Sequence, residues 1–264
     1  MQSEAGKAAL NIIDTHCHLD LEQFDADRGE VWVRAKKSGV SDLIVPAVTA
    51  NRWEGLLALC ASDPALHPAL GLHPVYLEQH GAEDLEKLPD AIAASGPVAV
   101  GEIGLDFALR ELDRERQIAL LEQQLGIAER FALPVILHVR KAHDEIIRLL
   151  KKYSLPGGTV HAFNGSIQQG ETYAAMGFKL GFGGMLTFER SSRLRRLARE
   201  LPASALVLET DAPDLTVASH QGERNSPEYL PEVLAALAHV RGEAREEVAA
   251  FTSANARQVF NLGQ

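Results

Sequence analysis

Cysteine is scarce in this chain: only Cys17 and Cys60 occur among 264 residues, too few for a disulfide framework. Strand alternation turns Cys17 away from its histidine neighbours, into the protein wall. No apolar stretch approaches the roughly 20 residues that span a bilayer. Residues 1–10 lack both a basic start and an apolar run, so no signal peptide is expected. A cationic excess is also missing, with 26 Lys and Arg against 36 Asp and Glu and a formal net charge of −10. Such acidity excludes broad coating of nucleic acid, because counterion release needs a basic surface. It leaves room for a small phosphate site whose positive charge comes from metal ions. There is no low-complexity segment, no linker rich in Pro, Gly or Ser, and no coiled-coil heptad. The expectation is a soluble cytoplasmic protein, one domain over 1–264, of open oligomeric state.

What the chain does have is alternation. Short apolar runs fall at 12–16, 42–48, 66–72, 97–103, 134–139, 158–163, 177–183 and 205–210. Their near-continuous apolar character suits parallel strands covered on both faces. Amphipathic stretches separate them, clearest at 113–131, where Leu120, Leu121, Leu125 and Ile127-Ala128 share a helical face behind an Asp113 N-cap. Eight strand–helix units predict an α/β fold, the (β/α)8 TIM barrel, with a doubly wound open sheet as the alternative. The segment 243–260 reads as one extra C-terminal helix sealing the outer ring.

The ends of these runs carry the chemistry. His16-Cys17-His18 closes the first, and alternation sends both imidazoles to one side, a pairing suited to a divalent cation. Glu102, His138, His161 and Asp211 each follow a later run. Side chains from strands one, four, five, six and eight can converge only if the sheet closes, which favours the barrel. A carboxylate such as Glu102 can bridge two cations, one oxygen to each, while imidazoles complete both shells. Two cations about 3.5–4 Å apart can activate water and steady the charge on a phosphodiester oxygen. Asp211 is the candidate general base toward that water.

The chain resembles the TatD family of metal-dependent deoxyribonucleases, within the amidohydrolase-like barrel hydrolases. The matching blocks are residues 14–20 (DTHCHLD), 71–74 (GLHP), 101–106 (GEIGLD), 134–140 (PVILHVR), 161–166 (HAFNGS) and 209–213 (ETDAP), in the family's order and spacing. The resemblance implies that His16, His18 and Asp211 hold one metal and His138 and His161 the other, with Glu102 shared. It implies a 3′-to-5′ exonuclease acting on DNA ends, and contact between His73 and substrate phosphate. The ion identity stays open among Zn, Mn, Mg, Fe and Co.

Other residues carry paired readings. His73 is either that phosphate contact or a loop histidine held by Pro74. Arg140 shares the parity of His138 and either grips phosphate or pairs with a nearby carboxylate. Asp14 either orients an imidazole or is a polar core group, and Asp106, placed on a loop, orients a ligand or a substrate sugar. Ser166 is expected to cap a helix. The run 189–196 (ERSSRLRR) is either a track for a nucleic-acid backbone or a solvated helix face. Pro227, in the segment 224–227 (RNSP), is expected early in a helix.

Val139, Asn164 and the Asp214-Leu215 pair depart from the family's commoner serines and aromatic, which bears on substrate preference rather than on metals. A barrel hydrolase of an amide, ester or phosphotriester is the competing function. Many such enzymes bridge their metals with a carbamylated lysine on strand four, and Glu102 stands there instead. A metal-binding module without turnover is the third reading.

Overall fold

The computed structural model describes residues 11–263, so the expectation for 1–10 lies outside the described residues. Eight strands form one parallel sheet in chain order: β1 (Ile12–Asp14), β2 (Val40–Pro46), β3 (Leu66–Leu70), β4 (Ala99–Asp106), β5 (Val135–Arg140), β6 (Gly158–Val160), β7 (Phe178–Phe182) and β8 (Leu206–Leu208). Backbone bonds across the seam join the two ends of this order. Thr15 N–H donates to the Leu208 carbonyl at 3.0 Å, Asp211 N–H to that of His16 at 2.8 Å, and His18 N–H to that of Ala212 at 2.8 Å. The sheet is therefore a barrel, and the open alternative is excluded.

Helices α1 (Arg28–Ser38), α2 (Trp53–Ala61), α3 (Ala82–Ser95), α4 (Arg114–Arg130), α5 (His143–Leu150), α6 (Ile167–Ala175), α7 (Ser192–Glu200) and α8 (Leu230–Arg241) alternate with the strands or follow β8. The local signals explain their ends. Asp113 caps α4 by accepting from Arg116 N–H at 3.0 Å. Ser166 and Gln169 exchange bonds in a capping box that starts α6. Pro227 sits early in a helical segment, as expected, at the first position of a 3-10 turn, Pro227–Tyr229, that leads into α8.

Strand alternation divides the core in two. Leu43, Val45, Leu70, Val100, Leu137 and Leu208 pack with helix side chains such as Leu56, Leu121 and Leu125. Their neighbours Ile44, Ala69, Ala99 and Ile136 form a separate cluster with Val259 and Phe260, and Ile13 and Val207 form another with Ala256. Val259, Phe260 and Ala256 belong to α9 (Arg245–Phe260). The extra helix therefore does more than seal the outer ring: its final turns pack against the alternate face of the strands and close the barrel floor. Chemistry is left to the opposite end, where strands give way to loops.

The outer shell has its own electrostatic tie. Asp63, before β3, accepts from Lys36 Nζ at 2.7 Å and Trp32 Nε1 at 2.9 Å, both on α1, and from Ala65 N–H at 3.0 Å. Lys36 first, then the Ala65 and Trp32 bonds, lower the Asp63 carboxyl to about 2. A depressed carboxyl contributes stability that is complete above its ordinary 3.8 and lost as pH falls toward about 2. The difference in melting temperature between wild type and Asp63→Asn should be widest above pH 5 and close toward pH 2. A difference independent of pH would show that the charge contributes nothing.

Candidate metal centre

The centre is built where β1 meets the loop after β8. Asp14 accepts from Thr210 N–H at 3.0 Å, the Thr210 hydroxyl at 2.6 Å and His16 N–H at 3.2 Å. It is thus a buried polar tie between two chain segments and touches no imidazole nitrogen. Beyond it, His16 and His18 bring their Nε2 atoms to 3.2 Å. His18 Nδ1 lies 3.0 Å from the Pro46 carbonyl, which places the ring proton there and turns the Nε2 lone pair inward. The His16 ring stacks on that of His161, centroids 3.9 Å apart.

Glu102 reaches this point because β4 is irregular. Ala99 faces the barrel interior and Val100 the helices, so strict alternation would send Glu102 outward. The β4–β5 register shifts between Val100 and Ile103, and the extra residue re-aims the side chain inward. Its two oxygens then face different partners. Oε2 lies 3.1 Å from His16 Nε2 and 3.4 Å from His18 Nε2; Asp211 Oδ1 is 3.6 and 3.7 Å from the same nitrogens. Oε1 lies 3.1 Å from His138 Nδ1, 3.2 Å from His73 Nε2 and 3.5 Å from His161 Nε2.

One buried carboxylate orients a ring by a hydrogen bond, and a second stands close behind another. His138 Nε2 donates to Asp106 Oδ2 at 3.0 Å, leaving Nδ1 free toward Glu102. Asp106 is the last residue of β4 rather than a loop residue, and its Oδ2 also accepts from Arg140 at 3.0 Å. Arg140 thus makes the carboxylate pair, with its side chain half exposed at the mouth. Glu209 was not singled out from the sequence. It is 1% exposed, accepts from Ala162 N–H at 2.6 Å, and lies 3.5 Å from His161 Nδ1. A Cβ at Gly181 would stand 2.0 Å from Glu209 Oε2, so the glycine is a steric requirement of this carboxylate. Asn225, read from the sequence only as part of the helix-entry segment 224–227, donates to the Thr210 and Asp214 carbonyls at 2.8 and 2.7 Å and pins the loop that bears Asp211. Ala162 and Asp211 hold φ of 44° and 59°, strain maintained by this scaffold.

His73 differs from the other imidazoles. It joins Glu102 and His138 in a compact donor group, yet Val75 N–H donates to its Nδ1 at 3.1 Å. The proton of the neutral ring is therefore on Nε2, which points at Glu102 as a donor. Burial, opposed by Glu102, takes His73 down to about 4, so the ring is neutral near pH 7.

The remaining groups form a dense charge cluster. Burial would raise Glu102, but His73, His16 and His161 together hold its carboxyl well below the ordinary range. Burial lowers His16, with His161 adding to it, whereas carboxylates overcome burial at His18, raised to about 9, and at His161, raised to about 10. Burial takes Asp211 up to about 6 against the pull of His161 and His18. The residues fit divalent cations: His16, His18 and Asp211 form one compact donor group, and His16, Glu102 and His161 another. Glu102 Oε2 is buried without a hydrogen-bond partner although imidazole nitrogens surround it. An oxygen facing inward lone pairs is better satisfied by a cation than by a proton.

The family of TatD related DNases matches this chain over residues 13–261. The chain belongs to this family. It is a TatD-family metal-dependent hydrolase. An uncharacterized metal-dependent hydrolase of Escherichia coli K12, YjjV, is 43% identical over 254 residues, 95% of this chain and 98% of that protein. The crystal structure of YjjV, described as a TatD homologue, superposes with a TM-score of 0.93 at 42% identity, covering 97% of this chain and all of the other. A 3′-5′ ssDNA/RNA exonuclease TatD of Erwinia tasmaniensis is 34% identical over 259 residues, 95% of this chain and all of that one.

Within this TatD-family barrel, the six side chains expected as ligands converge, His73 abuts Glu102, and Arg140 stands at the rim. If Glu209 and Asp106 orient His161 and His138, Glu209→Gln and Asp106→Asn should each weaken metal retention by about 10–100-fold. Gly181→Ala should reproduce the Glu209 effect. Competition against a chromophoric chelator would measure this, and unchanged retention with unchanged folding would remove the orienting role.

Proposed function

We propose that this chain, acting as a single domain, is a two-cation phosphodiesterase that removes nucleotides from the 3′ end of single-stranded DNA. One observation carries the reading: the two oxygens of Glu102 face separate donor sets, His16 and His18 with Asp211 on one side, His138 and His161 on the other. Similarity to relatives named 3′-5′ ssDNA/RNA exonucleases supports the substrate and the polarity. Divalent cations held by these six residues supply Lewis acidity toward a phosphodiester oxygen and lower the pKa of the attacking water.

The chain's own groups divide the remaining work. Glu102 fixes the two donor sets relative to each other. Asp211, ringed by imidazoles, accepts the proton of the attacking water. His73 Nε2–H, which points at Glu102, is shared with a phosphate oxygen bound beside that carboxylate. Arg140, held on Asp106 at the rim, adds positive charge on the side from which that phosphate enters. The buried free thiols Cys17 and Cys60 accord with a cytoplasmic, reducing setting.

The test is chelator-stripped protein resupplied with Mg, Mn or Zn, on single-stranded DNA labelled separately at each end. Metal-dependent shortening from the 3′ end is expected, with Glu102→Gln reducing the rate by at least about 100-fold, the scale of losing one preorganised charge at the reaction centre. Absence of cleavage with any of the three, despite bound metal, would overturn the reading.

A further inference from the structure

Beside the metal centre, a cleft of about 790 Å³ opens between the loops after β5 to β8 and the start of α7. His138, His161 and Asp211 line it, so it is continuous with the catalytic end of the barrel. Two features of its wall are unlike the rest of the surface. Met185 and Leu215 are 37% and 41% exposed, and among the described residues Val33 is the one other large apolar side chain as open as these. Their loops touch: a Cβ at Gly184 would lie 2.2 Å from the Leu215 carbonyl oxygen, and Leu215 holds a φ of 50°. The fold thus strains one loop and strips the other of a side chain while presenting two apolar groups to water.

The charged lining is also divided. Arg193 is committed to the carbonyls of Asn164 and Gly165 at 2.9 Å, and Arg140 to Asp106. Arg190 lies over the Phe188 ring, 5.3 Å from its centroid, and makes no ion pair among the described residues. Asp214 lines the cleft as well, and adjoins Leu215. A carboxylate beside Leu215 repels a second phosphate from that wall, while an uncommitted guanidinium elsewhere in the cleft attracts it. In a chain of net charge −10, a local cation facing such a cleft is a selective anion contact, not part of a basic field.

We propose that this cleft is the subsite for the nucleotide adjoining the scissile phosphate, its base against Met185 and Leu215 and its far phosphate on Arg190. The assignment rests on the phosphodiesterase reading. It gives that activity a preference for substrates that carry a base next to the bond cut. Every base offers an apolar face, so the preference is for presence of a base, not for sequence.

Two substrates test it: a labelled single-stranded oligonucleotide and the same strand with an abasic residue next to the 3′-terminal bond, supplied to the metal-loaded enzyme. Wild type should favour the intact strand in kcat/KM by about tenfold, the scale of burying one large apolar surface. Met185→Ala should shrink that ratio toward one. Arg190→Gln should instead lower the salt dependence of KM by about one phosphate contact and leave the base preference in place. Melting temperatures of both variants are measured alongside, and Met185→Leu, which keeps the apolar surface, should restore the ratio. Equal use of intact and abasic strands by wild type, or a ratio unmoved in Met185→Ala, would overturn the subsite while the nuclease reading stands. Hydrolysis of an aryl ester but of neither DNA strand nor bis(p-nitrophenyl) phosphate would overturn both.

Discussion

A carboxylate buried in a protein interior must be surrounded by groups that stabilise its charge, and Glu102 is the point on which this barrel's mouth is organised. Each oxygen has its own set of imidazoles, and those imidazoles come from strands far apart in the chain. Such an arrangement is costly without a partner of opposite charge, because several buried ionisable groups then compete for a few protons. Divalent cations resolve the competition by taking the inward lone pairs together. The surrounding ties follow from the same need. Asp14 locks β1 to the loop after β8, Asp106 and Glu209 stand behind His138 and His161, and Asn225 holds the strained turn at Asp211.

Much of this was visible in the chain before any coordinates. Eight apolar runs, each ending in a loop, and six metal-type side chains at their ends were enough for the barrel and for the convergent cluster. Strand parity correctly grouped His138 with Arg140, since no irregularity intervenes between them. Parity alone would have failed for Glu102, whose inward aim depends on a register shift that no residue type announces. Asp106 looked like a loop residue because β4 runs three residues past its apolar core, sustained by pairing with β5.

Glu209 was hidden for a different reason. A glutamate inside an apolar strand end reads as one more acidic residue unless the space it fills is known, and that space is made by Gly181 on the neighbouring strand. The signal was a pair of positions, not a motif. His73 shows how far a sequence can go and where geometry takes over: its place at the mouth followed from its strand, but its character as a donor follows from the Val75 amide at Nδ1. The basic run divided similarly. Most of its arginines serve local structure, with Arg196 paired to Glu200 and Arg195 bonded to Leu186, leaving Arg190 to face the cleft.

The floor of the barrel has an implication for how the protein is made. Val259 and Phe260 fill the interior against Ile44, Ala69, Ala99 and Ile136, residues synthesised long before them. The seam that positions His16 also joins β1 to the chain beyond β8. A nascent chain therefore carries His16 and His18 without a site to place them in until the segment beyond β8 has emerged. Assembly of the floor and of the seam waits on contacts of very large sequence separation. The metal centre is thus among the last parts of the fold that can be completed, because its two edges lie on opposite sides of the closing seam.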